Sequence, residues 1–251
     1  MSRSSLARSL EPLAAALWGI LLIWSAWLAA VWCLNIGPVW LGFSALPEAT
    51  PPPNADLRRA ILLLAEYADL LWLVLATANL HLHLSMNHGL STARRWLLIT
   101  AGSALALGVL DQKCGAPFGG IVFYPTLGTR LVGVPAGWLL LWAVLVLAAR
   151  EAALFLRPRA SHAAAAALAG VLVLVTAWSL LSPAVQLRAW WGYRGALPMW
   201  SWGVWLVAPW ALAFALREKD IATASAKRSW KPLILLLILN AVALAARLNL
   251  S

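Results

Sequence analysis

Asp111 closes a run of apolar residues that begins at Trp96, and the nine residues after it read QKCGAPFGG. A plain membrane anchor needs neither the carboxyl group nor a Gly/Pro/Phe-rich loop behind it. Glu66 and Asp69 raise the same question. Both lie inside ILLLAEYADLLWLVLATANLHLHL (61–84), three residues apart and so on one helix face, with Asn79 nearly in line. The other six acidic residues, Glu11, Glu48, Asp56, Glu151, Glu218 and Asp220, have ordinary places in loops or at helix ends. An ionisable side chain within a membrane span is costly and marks a functional site by default. A carboxylic acid in apolar surroundings has its charged form disfavoured and can serve as a general acid. The structural alternative is an interhelical hydrogen bond or an ion pair with Arg58, Lys113 or Arg130. Both readings stand for Glu66. Asp69 and Asp111 favour chemistry, because they fall at similar depth in neighbouring helices.

The histidines suggest a different chemistry. His81, His83 and His88 sit at the end of the second apolar segment, and His162 sits at the start of the fifth. A haem held between His81 or His83 and His162 is the electron-transfer reading. His81 and His83 are two residues apart, however, and point to different sides of a helix. Interfacial histidine is the commoner arrangement. The chain has no HExxH, Walker loop, GxSxG or Ser/His/Asp set, so zinc, nucleotide and serine-hydrolase chemistry have no motif behind them. No cofactor and no metal is expected.

The elements that must carry these residues follow from composition. The chain has 251 residues, 63% of them hydrophobic and 11% charged. A soluble domain is nearer half apolar and a quarter charged. The expected fold is all-α: one polytopic integral-membrane domain spanning 1–251, multi-pass in the cell inner membrane. About seven helices are predicted, near 12–34, 61–84, 96–111, 131–149, 163–181, 198–216 and 232–248, each close to the ~20 residues that cross a bilayer. The third is short and the seventh marginal. With the N-terminus cytoplasmic, the inner segments hold twelve Lys/Arg and the outer ones seven. That split favours this orientation. It places the loops 35–60, 112–130 and 182–197 outside, with PEATPPPNAD as an extended Pro-rich linker. The net charge of +10 reads as loop charge facing anionic lipid rather than nucleic acid. Cys33 and Cys114 both fall at the outer edge. They pair if that side is oxidising, or serve as small apolar residues. Most of the seventeen Trp belong to interfacial belts. Trp24, Trp27, Trp202, Trp205 and Trp210 sit deeper, where they are candidates to line a pocket for a long conjugated or isoprenoid ligand.

After Asp111 the order is Gly-x-Pro-Phe-Gly, the aromatic pair Phe123 and Tyr124, Leu127-Gly128, then Gly-Val-Pro and a Trp-bearing helix. This resembles the membrane-embedded carotenoid biosynthesis proteins, which include the bisanhydrobacterioruberin and γ-carotene hydratases. SPAVQLRAWWGYRGALPMWSWGVWLV (182–207) and the acidic second segment are similar to two further family patches, and the three cover about half the chain. Asp111 stands where the family has Glu, Ser182 where it has Asp, and Val122 where it has Tyr. The resemblance implies addition of water to a terminal C=C of an acyclic carotenoid. Asp111, with Asp69 or Glu66, would donate the proton. Phe118, Phe123, Tyr124, Trp190, Trp191, Tyr193 and Trp202 would line the substrate site, since aromatic faces stabilise cations without attacking them. The expected partners are a carotenoid or other isoprenoid lipid and membrane lipid. The alternative is a carotenoid-binding or structural subunit, without catalysis, of a larger membrane complex.

Overall fold

The computed structural model describes residues 3–34, 55–195, 197–216 and 229–248. The Pro-rich stretch 47–54 and the basic residues Arg217, Lys219, Lys227 and Arg228 lie outside the described residues, as does the Arg58 side chain. Among the described residues eight helices run in order: α1 Arg3–Cys33, α2 Ala55–Glu66, α3 Ala68–His88, α4 Leu90–Cys114, α5 Ala136–Leu156, α6 His162–Ser182, α7 Ser201–Ala215 and α8 Lys231–Leu248. Among the described residues α1, α4, α5, α6 and α8 are long and apolar enough to cross a membrane, which marks a multi-pass membrane protein. The pair α2–α3 makes a sixth span if its two parts count as one. The expected crossing at 198–216 yields only the 15 residues of α7. At 1.5 Å per residue that is about 22 Å, short of a ~30 Å hydrocarbon core.

The second apolar segment is not one straight helix. It breaks at Tyr67 (φ −92°, ψ 3°), and its halves are bent by 55°. Glu66 therefore ends α2 while Asp69 opens α3, and the two acids do not share a continuous face. The bend sits against α1, where indole N–H groups meet backbone carbonyls on either side of it. Trp24 donates to Ala68 O at 2.9 Å and Trp27 to Leu64 O at 3.2 Å. Trp24 and Trp27 thus hold the bend rather than line a pocket. Below it α1 and α3 are laced by Trp72 Nε1 to Ser25 Oγ (2.9 Å) and Asn79 Nδ2 to Leu17 O (3.1 Å).

The fourth helix starts at Leu90 and ends at Cys114, longer than the expected 96–111. The next starts at Ala136, not 131, and runs to Leu156. It is the central helix, buried on all sides from Leu141 to Ala153. Residues 130–135 form instead a two-residue hairpin, β2 Arg130–Leu131 with β3 Val134–Pro135. A second small sheet ties two distant loops together. In it β1 Ile121–Phe123 pairs antiparallel with β4 Trp191–Tyr193, Ile121 opposite Tyr193 and Phe123 opposite Trp191. Both sheets cap one end of the bundle, here called the sheet end. The opposite, far end carries His88 and Leu156.

Candidate functional site

The sheet end is organised around two buried carboxylates. The first belongs to Asp69. At the end of α6, Pro183 has no N–H to continue the helix, and the chain widens into a π turn, Pro183–Leu187. Arg188 N–H closes on Pro183 O at 2.9 Å, Ala189 takes φ +44°, and Trp190 N–H returns to Ala184 O at 2.8 Å. This turn drops Arg188 and Trp190 into the core. Asp69 Oδ2 accepts from Arg188 Nε at 2.7 Å and from Trp190 Nε1 at 3.0 Å, while Oδ1 accepts from Trp32 Nε1 at 2.8 Å. Arg188 Nη2 also donates to Ala65 O, 2.9 Å away, at the bend between α2 and α3. None of the four side chains is more than 1% exposed. Asp69 is thus an ion-pair partner within the core. Its cation, Arg188, had the look of an ordinary outer-loop charge. The one sequence signal was its place between a helix-ending Pro and a Trp pair.

The second carboxylate is Asp111, in the last turn of α4. Gly115 ends that helix in the left-handed region (φ +69°), its N–H bonded to Asp111 O at 2.8 Å. The loop then folds back over the helix end, and the Ala116–Pro117 bond within it is cis. Three backbone N–H groups converge on the side chain. Phe118 and Gly119 donate to Oδ1, and Ile121 donates to Oδ2. Asp111 is fully buried. Both oxygens act as acceptors for the loop, and no face is open to a substrate carbon. The carboxyl at the end of this apolar helix folds the Pro-Phe-Gly loop. Glu66 ends α2 half-buried, next to Ala65, whose carbonyl accepts from Arg188.

Between the two acids lies a dense aromatic core. Phe118, Phe123, Trp138, Trp142, Trp190, Trp191 and Trp205 are at most 4% exposed. Trp138 meets Trp191 edge-on at 5.4 Å between centroids and Trp205 at 5.8 Å. Of the expected substrate-lining residues, Phe118, Phe123, Trp190 and Trp191 therefore belong to packing. Tyr124 lies half-buried over Gly192, where a Cβ would come within 3.0 Å of its hydroxyl. Tyr193 and Trp202 do line a groove. Its volume is about 250 Å³, and it is framed by Trp178, Leu181, Val185 and Leu197, with Ser182, Gln186 and Arg247 as its other polar members. Arg247 stacks on Trp178, 4.4 Å from the ring centroid. Ser182 Oγ donates to Gln186 Oε1 at 3.2 Å. Trp191 Nε1 donates to the Tyr193 hydroxyl at 3.2 Å. Burial pushes the Tyr193 phenol up to about 12, and the negative charge of Asp111 acts in the same direction. Trp210, the remaining deep tryptophan, is 42% exposed on the outside of α7.

A second polar cluster occupies the far end. Glu151, which reads as a helix-end residue in sequence, is buried there and ion-paired with Arg150. His88 Nε2 lies 3.3 Å from Glu151 Oε1, and His83 Nε2 lies 3.7 Å from Oε2. The Arg150 guanidinium stands 4.1 Å above the Trp96 ring. The cluster joins the adjacent ends of α3, α4 and α5. The adjacent charges at 150–151, with apolar residues on both sides, were its sequence signal. His162 is committed elsewhere, its Nε2 2.8 Å from Phe214 O, so it does not face His81 or His83. Cys33 and Cys114 are both thiols rather than a disulfide. Among the described residues no three His, Cys, Asp or Glu are grouped as metal ligands. Comparison with known protein families, characterised proteins and solved structures returns no match.

Proposed function

We propose that this is a multi-pass inner-membrane protein, N-terminus cytoplasmic, that binds the end of a carotenoid-type isoprenoid chain at the outer edge of the bilayer. The groove at the sheet end is the observation that carries the reading. Its walls are tryptophan and aliphatic side chains from α6, α7 and the residues between them, and Ser182, Gln186, Tyr193 and Arg247 are its polar members. At about 250 Å³ it falls just below the 300–1,000 Å³ of sites that enclose a whole small ligand. It suits a chain end, with the rest of the chain lying in lipid. The three sequence patches of the carotenoid-protein resemblance also meet at this end: Asp69 with Arg188 and Trp190, and β1 with β4.

Binding is favoured over hydration because Asp69 and Asp111 each have both oxygens engaged. The groove's own charge is a cation, Arg247, and a cation opposes a carbocation. Hydration stays as the second reading on one observation. The phenol of Tyr193 lines the groove within the field of Asp111, where a water could be held against a chain end. Co-expression with an acyclic-carotenoid pathway tests both readings. Purification in mild detergent should give protein with a three-peaked visible band and unchanged pigment. Hydroxylated pigment in the cells would move the assignment to a hydratase. Protein without any polyene and pigments without change would end both.

A further inference from the structure

Three of the four polar side chains of the groove, Gln186, Tyr193 and Arg247, have a hydrogen-bond donor to offer. The Ser182 hydroxyl is spent on Gln186 Oε1, which leaves the Gln186 amide N–H₂ as the group that pair presents. The Tyr193 oxygen already accepts from Trp191 Nε1, which leaves its O–H to give. Arg247 has donors only, and it pairs with no carboxylate among the described residues. Among the described residues it makes a 3.4 Å hydrogen bond to Trp178 O. The Trp178 face fixes the guanidinium plane at the groove wall. Three donors thus line a small apolar-walled space, one of them a cation with no carboxylate partner among the described residues. Gln186 is exposed and Tyr193 and Arg247 are half-buried, so a hydrocarbon end seated there would take these donors from water without replacing their hydrogen bonds, which is costly.

We infer that the groove selects a chain whose end bears an acceptor-only oxygen group, a carbonyl or a carboxylate-like anion, held by Arg247, Gln186 and Tyr193. This rests on the groove being an isoprenoid-chain site and names the end group it prefers. It differs from the hydrocarbon end that the sequence resemblance implies. Tyr193 remains a donor across the physiological range, since burial holds its phenol far above neutrality.

Four polyene probes of one length separate the chemistry: retinoate, retinal, retinol and the matching hydrocarbon with a terminal methyl. The protein in lipid nanodiscs reports binding through quenching of tryptophan fluorescence. Retinoate is expected to bind about 10–100-fold more tightly than the hydrocarbon, the range for a hydrogen bond to a charged group. Arg247→Gln should remove most of that preference, and Arg247→Lys should keep part of it. Arg247→Gln should not weaken hydrocarbon binding, since it removes a donor that a hydrocarbon leaves unanswered, whereas a collapsed groove would weaken it. Retinal matching retinoate identifies a neutral carbonyl as sufficient, whereas retinoate alone identifies an anion. Equal affinity for all four probes overturns the end-group inference and leaves the chain-binding reading intact. No quenching by any probe overturns both.

Discussion

At the scale of single residues, the two acids that invite a catalytic reading have their oxygens committed to the fold. Asp111 makes the case most sharply, because its Oδ1 and Oδ2 both accept backbone N–H groups. Asp111→Asn must turn an amide donor toward at least one of those N–H groups, at about 1–3 kcal/mol per orphaned donor. Asp111→Glu puts an extra methylene into a fully buried site, at about 1–3 kcal/mol of overpacking. Thermal unfolding in nanodiscs should therefore fall for both variants. A proton donor predicts otherwise, with Glu tolerated and Asn folded but inactive, and that pattern would reject the anchoring role. Tyr193 gives a pH test. The unfolded phenol titrates near its ordinary 10.0 and the folded one at about 12. Between those values the folded chain keeps a proton that the unfolded chain has lost, so stability falls as pH rises through that window and is unaffected below it. Tyr193→Phe should flatten this fall in melts taken from pH 9 to 12, and an unchanged slope would show that Tyr193 is not its source. Neither carboxylate's partners could be read from the chain. Asp69 and Arg188 are 119 residues apart, and the donors to Asp111 are anonymous backbone groups.

Elements were legible where one physical rule decides them and illegible where two compete. Apolar length alone located the spans. The break at Tyr67 left no trace, because no Gly or Pro marks it and its cause is the packing of Trp24 and Trp27 from α1. The central helix was cut short at 149 because Arg150 and Glu151 look like a helix end, whereas pairing with each other lets both stay buried. Its start was placed too early because Leu131, Val132 and Val134 are apolar residues of the β2–β3 hairpin. That hairpin carries a local conflict. Its two-residue loop has positive φ at Val132 (51°) and Gly133 (87°), a geometry that suits Asn-Gly and disfavours a β-branched residue. Val132 is 67% exposed, so little packing offsets the strain. Val132→Asn should raise the unfolding midpoint, with a gain of about 1 kcal/mol, toward the low end of the left-handed penalty. A lower midpoint would mean that the valine is buried in something outside the chain, with lipid the first candidate.

For the whole molecule the open quantity is orientation, and it is set by charge rather than by packing. Counted over the seven crossings expected from the sequence, 198–216 included, twelve Lys/Arg against seven favour a cytoplasmic N-terminus. Two of the nineteen do not act as loop charges. Arg150 is buried against Glu151 and Arg188 against Asp69. A paired, buried charge contributes little to the loop asymmetry. Without these two the split is eleven to six, and the ratio moves slightly further toward the same answer. The sheet end, with its groove and both buried acids, then faces away from the cytoplasm. Cys114 offers a native probe: it ends α4 at the sheet end and is exposed, whereas Cys33 at the end of α1 is half-buried. A membrane-impermeant maleimide added to intact spheroplasts should label Cys114. Cys114→Ser should remove most of that signal. Inside-out vesicles should give the reverse, with Cys114 protected until detergent is added. Labelling of Cys114 in inside-out vesicles but not in spheroplasts would turn the molecule over. The groove would then open at the cytoplasmic edge, and the isoprenoid ligand proposed for it would be drawn from the inner leaflet.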